Sequence, residues 1–183
     1  MSKAEMSRVE RAIKVAFKAH RGTLRDGSSP LPYFTHPVDV VNRLRYVGGI
    51  VDEDVLCAAA LHDTLEETEL QPADIFEKFG ERVTDLVLEM TRIEPELPDG
   101  ITEEEAWHLR STALLAEISR MSAAAKTIKL ADRASNLTAA LVTRKGEALR
   151  RYLRQSEWVL EQIPREVSPA LWDSVHEMLQ KPV

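Results

Sequence analysis

Two histidines and two aspartates of this chain have the side chains of a hydrolytic metal centre. They are His36, the adjacent pair His62 and Asp63, and Asp132. Imidazole nitrogen together with carboxylate oxygen suits a divalent cation such as Mn²⁺, and metal-assisted hydrolysis requires a coordination position left open to water. The four residues are far apart in the sequence, so only a tertiary fold can bring them together. Each one also has an ordinary structural explanation as a helix end, a turn or a surface ion-pair partner.

Two glutamates follow the His-Asp pair closely. If residues 54–67 form one helix, His62 and Glu66 are four residues apart, as are Asp63 and Glu67, so the pairs project to neighbouring positions on one side. A carboxylate outside the coordination shell of a metal can orient or deprotonate water and protonate a leaving oxygen. Glu66 and Glu67 are therefore the candidate catalytic residues, with an ordinary acidic helix face as the alternative.

The elements that must position these residues are helices. Prolines mark their boundaries: Pro37 is expected at the first position of one helix, and Pro72 opens another. Period-two alternation of β-branched residues is nearly absent, whereas apolar residues recur at helical spacing in three segments. These positions are Val9, Ile13, Ala16 and Phe17; Val38, Val41 and Leu44; and Ile75, Phe76 and Phe79. The sequence predicts an all-α protein of about eight to nine helices, in a single domain over residues 1–183.

Composition restricts the class of protein further. The chain has 183 residues, of which 44% are hydrophobic and 30% charged, as expected for a globular domain with a substantial core. The net charge of −6 argues against a general nucleic-acid binder, because such binding depends on many cationic phosphate contacts. No stretch reads as a membrane span or a signal peptide. The single cysteine, Cys57, lies in an apolar run and is expected in the core, so a reduced, cytoplasmic environment is predicted.

Four short motifs occur in an order that resembles the HD-type hydrolase domain of the RelA/SpoT alarmone enzymes, above all the stand-alone small alarmone hydrolases of that family. The motifs are Tyr33-Phe34-Thr35-His36-Pro37, His62-Asp63-Thr64, Met90-Thr91-Arg92 and Lys129-Leu130-Ala131-Asp132-Arg133. The resemblance implies a helical HD-superfamily fold, one divalent metal, commonly Mn²⁺, and a small purine nucleotide substrate. It assigns the two histidines and two aspartates to the metal, and Glu66 with Glu67 to the catalytic acidic pair.

The same resemblance implies contacts to the substrate. Arg25 matches the basic residue that packs on the nucleotide base, and Asn136 matches the amide that contacts the base or ribose. Arg92 falls at a position suited to a phosphate contact, and Tyr152 is a further candidate for stacking. Lys129 is one of several cations that could supply a local positive field, whereas Lys18 and Arg133 are interpreted as solvated surface cations.

Two departures from the family pattern bear on the activity. Glu67 stands where the family usually has aspartate, so the second carboxylate gains one methylene of reach. Ala139 replaces a polar side chain three places after Asn136, so a preference for guanine over adenine cannot be assumed.

The leading hypothesis is Mn²⁺-dependent hydrolysis of the 3′-pyrophosphate of (p)ppGpp or (p)ppApp, which releases pyrophosphate and the 5′-nucleotide. One alternative keeps the metal centre but acts on the 2′-phosphate of NADPH or on a nucleoside monophosphate. Another is a nucleotide-sensing module that binds without turnover. Product analysis separates the three, while the oligomeric state cannot be read from the sequence.

Overall fold

The computed structural model describes residues 6–25 and 30–181. Within these ranges the secondary structure is helical, apart from an isolated antiparallel bridge between Leu24 and Pro32. The α-helices are α1 (Arg8–Ala19), α2 (Thr35–Tyr46), α3 (Glu53–Leu61), α4 (Thr64–Glu67), α5 (Pro72–Phe79), α6 (Glu81–Met90), α7 (Glu103–Arg120), α8 (Ala123–Thr143), α9 (Gly146–Gln162) and α10 (Pro169–Leu179), with a short 3-10 helix at Arg165–Val167. The all-α prediction is confirmed. None of the described helices is long and apolar enough to cross a membrane.

Several helices begin next to a capping serine or at a proline. Ser7 caps α1 through a capping box, and Ser122 caps α8 by accepting a hydrogen bond from the Ala125 amide. Pro72 opens α5 as predicted. Pro37 is instead the third residue of α2, which the first-position prediction missed. A proline is tolerated there because the first four backbone N–H groups of a helix have no partner within it.

Helices α3 and α8 form the centre of the molecule. Residues 55–61 of α3, including Cys57, are all buried, and α3 packs against α1, α2, α6 and α8. At 21 residues α8 is the longest described helix, and it contacts α2, α3, α6, α9 and α10. Because both helices are enclosed by others, close packing fixes the positions of their side chains. The candidate ligands lie on α8, at the end of α3 and on α2.

The single helix expected over residues 54–67 is divided at His62 and Asp63. The His62 Nδ1 atom hydrogen-bonds the Ala59 carbonyl oxygen at 2.8 Å, and the Thr64 hydroxyl donates to the Leu61 carbonyl at 2.6 Å. In an uninterrupted helix these carbonyls would accept from backbone amides four residues later, so the side chains compete with the helix. The prediction of one helix was wrong, and the division raises the number of described α-helices to ten.

Candidate metal centre and adjoining cavity

The four predicted metal ligands come together in the interior. Ligand atoms of His36, His62 and Asp132 lie within 4.8 Å of one another, and all three residues are buried. Asp63 lies beside this group: its Oδ2 is 3.4 Å from His36 Nε2, and its Oδ1 is 3.0 Å from His62 Nε2. The first turn of α2, the turn after α3 and the middle of α8 thus converge on one cluster, called the His/Asp cluster below.

In both imidazole rings, Nδ1 contacts a polar group that is not part of the His/Asp cluster. His36 Nδ1 lies 3.0 Å from Ser135 Oγ, and His62 Nδ1 is bonded to the Ala59 carbonyl oxygen. A carbonyl oxygen can only accept, so His62 Nδ1 carries a proton and the neutral ring has its lone pair on Nε2. This Nε2 atom is buried, and although Asp63 Oδ1 lies 3.0 Å away, no group of the described residues meets it in hydrogen-bond geometry. A buried ring nitrogen held in this way has the arrangement of a metal-ligating histidine.

The charges of the cluster favour a bound cation. Burial lowers the pKa of His62, but Asp63 and Asp132 outweigh burial and raise it to about 10. Burial raises the pKa of each aspartate, but the histidines lower it at Asp63, and Lys129 followed by the histidines lowers it at Asp132. The carboxylates therefore stay ionised and favour a proton on His62. A divalent metal would compete with that proton for the His62 Nε2 atom. Two imidazoles and two carboxylates fit such a metal.

Other polar side chains hold the two aspartates in place. The Tyr33 hydroxyl donates to Asp63 Oδ2 at 2.7 Å, and burial together with the Asp63 charge raises the pKa of Tyr33, so it stays a donor. Lys129 Nζ lies 3.0 Å from Asp132 Oδ2, and both side chains are buried. The carboxylate orientation is thus fixed by neighbours as well as by the backbone.

Sequence reasoning missed most of this supporting set. Tyr33 stands in a motif that carries the resemblance, but the sequence does not show that its hydroxyl reaches Asp63. Ser135 was given no role. Lys129 was considered only as part of a general positive field, although its position three residues before Asp132 on one helix was a usable signal.

The two glutamates of α4 face different surroundings. Glu66 Oε1 accepts a hydrogen bond from the Arg92 backbone amide at 2.7 Å. Glu66 is exposed as a whole residue, but desolvation of its carboxyl, together with the neighbouring charge of Asp63, raises the pKa of Glu66 above its ordinary value despite that bond. Glu67 borders a cavity that His36 also borders. The turn after α3 therefore places the two carboxylates beside the cluster in unequal environments.

The cavity has a volume of about 480 Å³, within the usual range for small-molecule sites. It is lined by all four residues predicted to contact substrate, which are Arg25, Arg92, Asn136 and Tyr152. Arg144, to which the sequence gave no role, also borders it. The cavity wall therefore combines arginines, an amide and an aromatic ring next to the His/Asp cluster.

Arg133 is not a surface cation, so that interpretation was wrong, whereas Lys18 is exposed as expected. Arg133 is only 5% exposed because α9 covers this part of α8. Its Nη1 bonds Gln155 Oε1 at 3.2 Å, and its guanidinium carbon lies 4.9 Å from the centre of the Tyr152 ring. The guanidinium carbon of Arg144 lies 4.5 Å from the same ring centre. Tyr152 therefore contacts two cations where it borders the cavity.

Comparison with known proteins agrees with this geometry. Residues 12–159 match the family model described as HD domain. The chain is 34% identical over 110 residues to a probable guanosine-3′,5′-bis(diphosphate) 3′-pyrophosphohydrolase of Mycoplasma pneumoniae, over 58% of this chain and 15% of that protein. It is 32% identical over 136 residues to the guanosine-3′,5′-bis(diphosphate) 3′-pyrophosphohydrolase of Homo sapiens, over 73% of this chain and 70% of the human protein.

A solved structure shows the same architecture. It belongs to a metazoan orthologue of SpoT that hydrolyses ppGpp, and it superposes with a TM-score of 0.82 at 26% identity, covering 98% of this chain and 97% of that one. The chain thus spans most of the human relative and of the solved structure, but only a small part of the long Mycoplasma protein.

Proposed function

This chain belongs to the HD domain family, and on that premise we propose that it hydrolyses the 3′-pyrophosphate of a purine alarmone, (p)ppGpp or (p)ppApp. The products are pyrophosphate and the 5′-nucleotide. One observation carries the proposal: a nucleotide-sized cavity, rich in arginine, adjoins the His/Asp cluster. The substrate class is suggested by relatives of the chain that are named as 3′-pyrophosphohydrolases.

We assign one Mn²⁺ ion to the cluster, with His36, His62, Asp63 and Asp132 as its ligands. The orphaned Nε2 atom of His62 and the two ionised aspartates support this assignment. When bound, a divalent metal supplies a Lewis acid for phosphoryl oxygens and lowers the pKa of water. Mixed imidazole and carboxylate ligands suit Mn²⁺, although other divalent metals share the preference.

The two glutamates divide the handling of protons. Glu67 borders the cavity beside His36, where its carboxylate can accept a hydrogen bond from water and take a proton as the water oxygen attacks the 3′-linked phosphorus. Glu66 has a raised pKa, so it holds a proton more readily and can give it to the 3′-oxygen as the P–O bond breaks. The water oxygen enters the pyrophosphate, and the 3′-oxygen leaves as a hydroxyl group.

Three arginines border the cavity together with the carboxylate of Glu67: Arg25, Arg144 and Arg92, whose guanidinium lies 3.2 Å from Glu94. A guanidinium group can bind phosphate oxygens in pairs or lie flat on a purine. We assign Arg92 to phosphate, and Arg25, Asn136 and Tyr152 to the nucleoside.

The test is an assay of ppGpp and ppApp side by side with Mn²⁺, in which chromatography resolves the nucleotides and pyrophosphate. We expect equal amounts of pyrophosphate and 5′-nucleotide from at least one substrate, and loss of this activity in Asp63→Ala. Inorganic phosphate released from NADPH or a nucleoside monophosphate, without alarmone turnover, would replace the proposal with a phosphatase. Nucleotide binding without any product across Mn²⁺, Mg²⁺, Co²⁺ and Zn²⁺ would replace it with a sensing module.

A further inference from the structure

Asn136 has both ends of its side-chain amide in use. Its Nδ2 donates to Asp132 Oδ1 at 2.6 Å, and its Oδ1 accepts from Arg25 Nη2 at 2.9 Å. An ionised carboxylate cannot donate and a guanidinium cannot accept, so the two partners fix which end of the amide faces which. The three side chains form a continuous chain of hydrogen bonds from the cavity wall to the His/Asp cluster.

The Asp132 oxygen at the end of this chain is the one that faces the histidines. It lies 3.2 Å from His36 Nε2 and 3.7 Å from His62 Nε2. The other carboxylate oxygen accepts from Lys129. Asn136 therefore contacts the Asp132 oxygen that would hold a metal, and it constrains the orientation of that carboxylate.

Arg25 reaches this chain from a distant part of the sequence. It lies between α1 and α2, and it is 111 residues from Asn136. Its backbone N–H donates to the Leu31 carbonyl oxygen at 2.9 Å, next to a second bond from the Tyr33 amide to the Thr23 carbonyl at 2.9 Å. The Arg25 backbone is thus held in place, while its side chain borders the cavity.

We propose that Asn136 is a positioning residue for Asp132 and that Arg25 acts on the metal centre through Asn136. Arg25 and Asn136 then set the affinity for the metal as well as lining the nucleotide cavity. A nucleotide that draws Arg25 away from Asn136 alters the support of Asp132, so nucleotide and metal affinities depend on each other. This inference rests on the metal site of the proposed function, but not on which phosphoester is hydrolysed.

The test is calorimetric titration of the metal-free full chain with Mn²⁺, without nucleotide. Loss of a group that supports a metal ligand typically weakens metal binding about 10–100-fold, so we expect the Mn²⁺ Kd of Asn136→Ala to rise at least about 10-fold. Arg25→Ala should raise the Kd by a smaller factor, because its effect passes through Asn136. The double variant should bind Mn²⁺ as Asn136→Ala does, because Arg25 acts through Asn136 and its removal has no further effect once Asn136 is gone.

Arg144→Ala is the matched control, because Arg144 borders the same cavity and contacts the Tyr152 ring rather than Asn136. It should keep the wild-type Mn²⁺ Kd, and circular dichroism establishes that each variant is folded. If Asn136→Ala does not fold, the comparison of Arg25→Ala with Arg144→Ala still decides the inference.

An unchanged or tighter Kd in Asn136→Ala, or independent effects that multiply in the double variant, would overturn the inference. If the wild-type chain binds no Mn²⁺, both the inference and the metal assignment fail. If it binds Mn²⁺ with the expected pattern but hydrolyses no alarmone, only the proposed function fails.

Discussion

His62 links the fold to the His/Asp cluster through the two nitrogens of one ring. Nδ1 bonds the carbonyl oxygen of Ala59 in the last turn of α3, and Nε2 faces Asp63 and Asp132. The hydrogen bond that competes with the helix therefore also selects the tautomer and directs Nε2 into the cluster. The end of α3 and the tautomer of the His62 ring are thus both determined by the hydrogen bond from Nδ1 to the Ala59 carbonyl oxygen.

Glu66→Gln separates proton transfer from metal binding. We expect kcat for alarmone hydrolysis to fall about 10²–10⁴-fold, because an amide cannot exchange a proton with the leaving oxygen. Mn²⁺ binding should be retained, since Glu66 makes its hydrogen bond to the backbone amide of Arg92, and any change in affinity should reflect only the charge lost near Asp63. Steady-state kinetics and Mn²⁺ titration check both expectations. Asp132→Asn is the comparison that should lose metal binding as well, and turnover of Glu66→Gln near the wild-type rate would rule out the assigned role.

Helix α8 presents different functions on neighbouring faces. Lys129 and Asn136 lie three residues before and four residues after Asp132, so all three share one face and meet through their side chains. Arg133, one position later than Asp132, turns toward α9 and contacts Gln155 and the Tyr152 ring. Asp132 is therefore held on an element that is itself anchored by a buried cation.

Arg133→Ala tests that anchor. We expect the free energy of unfolding to fall by about 2–3 kcal/mol, because the change removes buried hydrogen bonds and a cation–π contact. Urea denaturation followed by circular dichroism measures the effect. Arg154→Ala is the matched control on α9, since Arg154 is exposed, and it should change stability by less than about 0.5 kcal/mol. Equal effects of the two changes would contradict the anchoring role of Arg133.

At the scale of the whole molecule, sequence reasoning succeeded where a pattern is local or where a motif names a residue. Helical periodicity predicted the all-α class, and the motif order selected His36 and Asp132, which the fold brings together. It failed where individual side-chain contacts decide the outcome. The helix break depends on His62 competing for a carbonyl, and the burial of Arg133 depends on α9 packing over it. The Tyr33 contact joins two residues that are 30 positions apart in the sequence. Periodicity carries no information on such contacts.

The residues of the His/Asp cluster come from α2, from α8 and from the turn that follows α3. A bound metal would therefore link segments that are far apart in the unfolded chain. Mn²⁺ at about 100 times its Kd should therefore stabilise the fold by about 2.7 kcal/mol, because it binds the native state alone. For a domain of this size, that corresponds to a rise in Tm of about 5–10 °C. Thermal unfolding with Mn²⁺ and after EDTA treatment measures the difference. Asp132→Ala, compared with itself under both conditions, should show no rise. A rise equal to that of the wild-type chain would mean that Mn²⁺ stabilises the protein from another site.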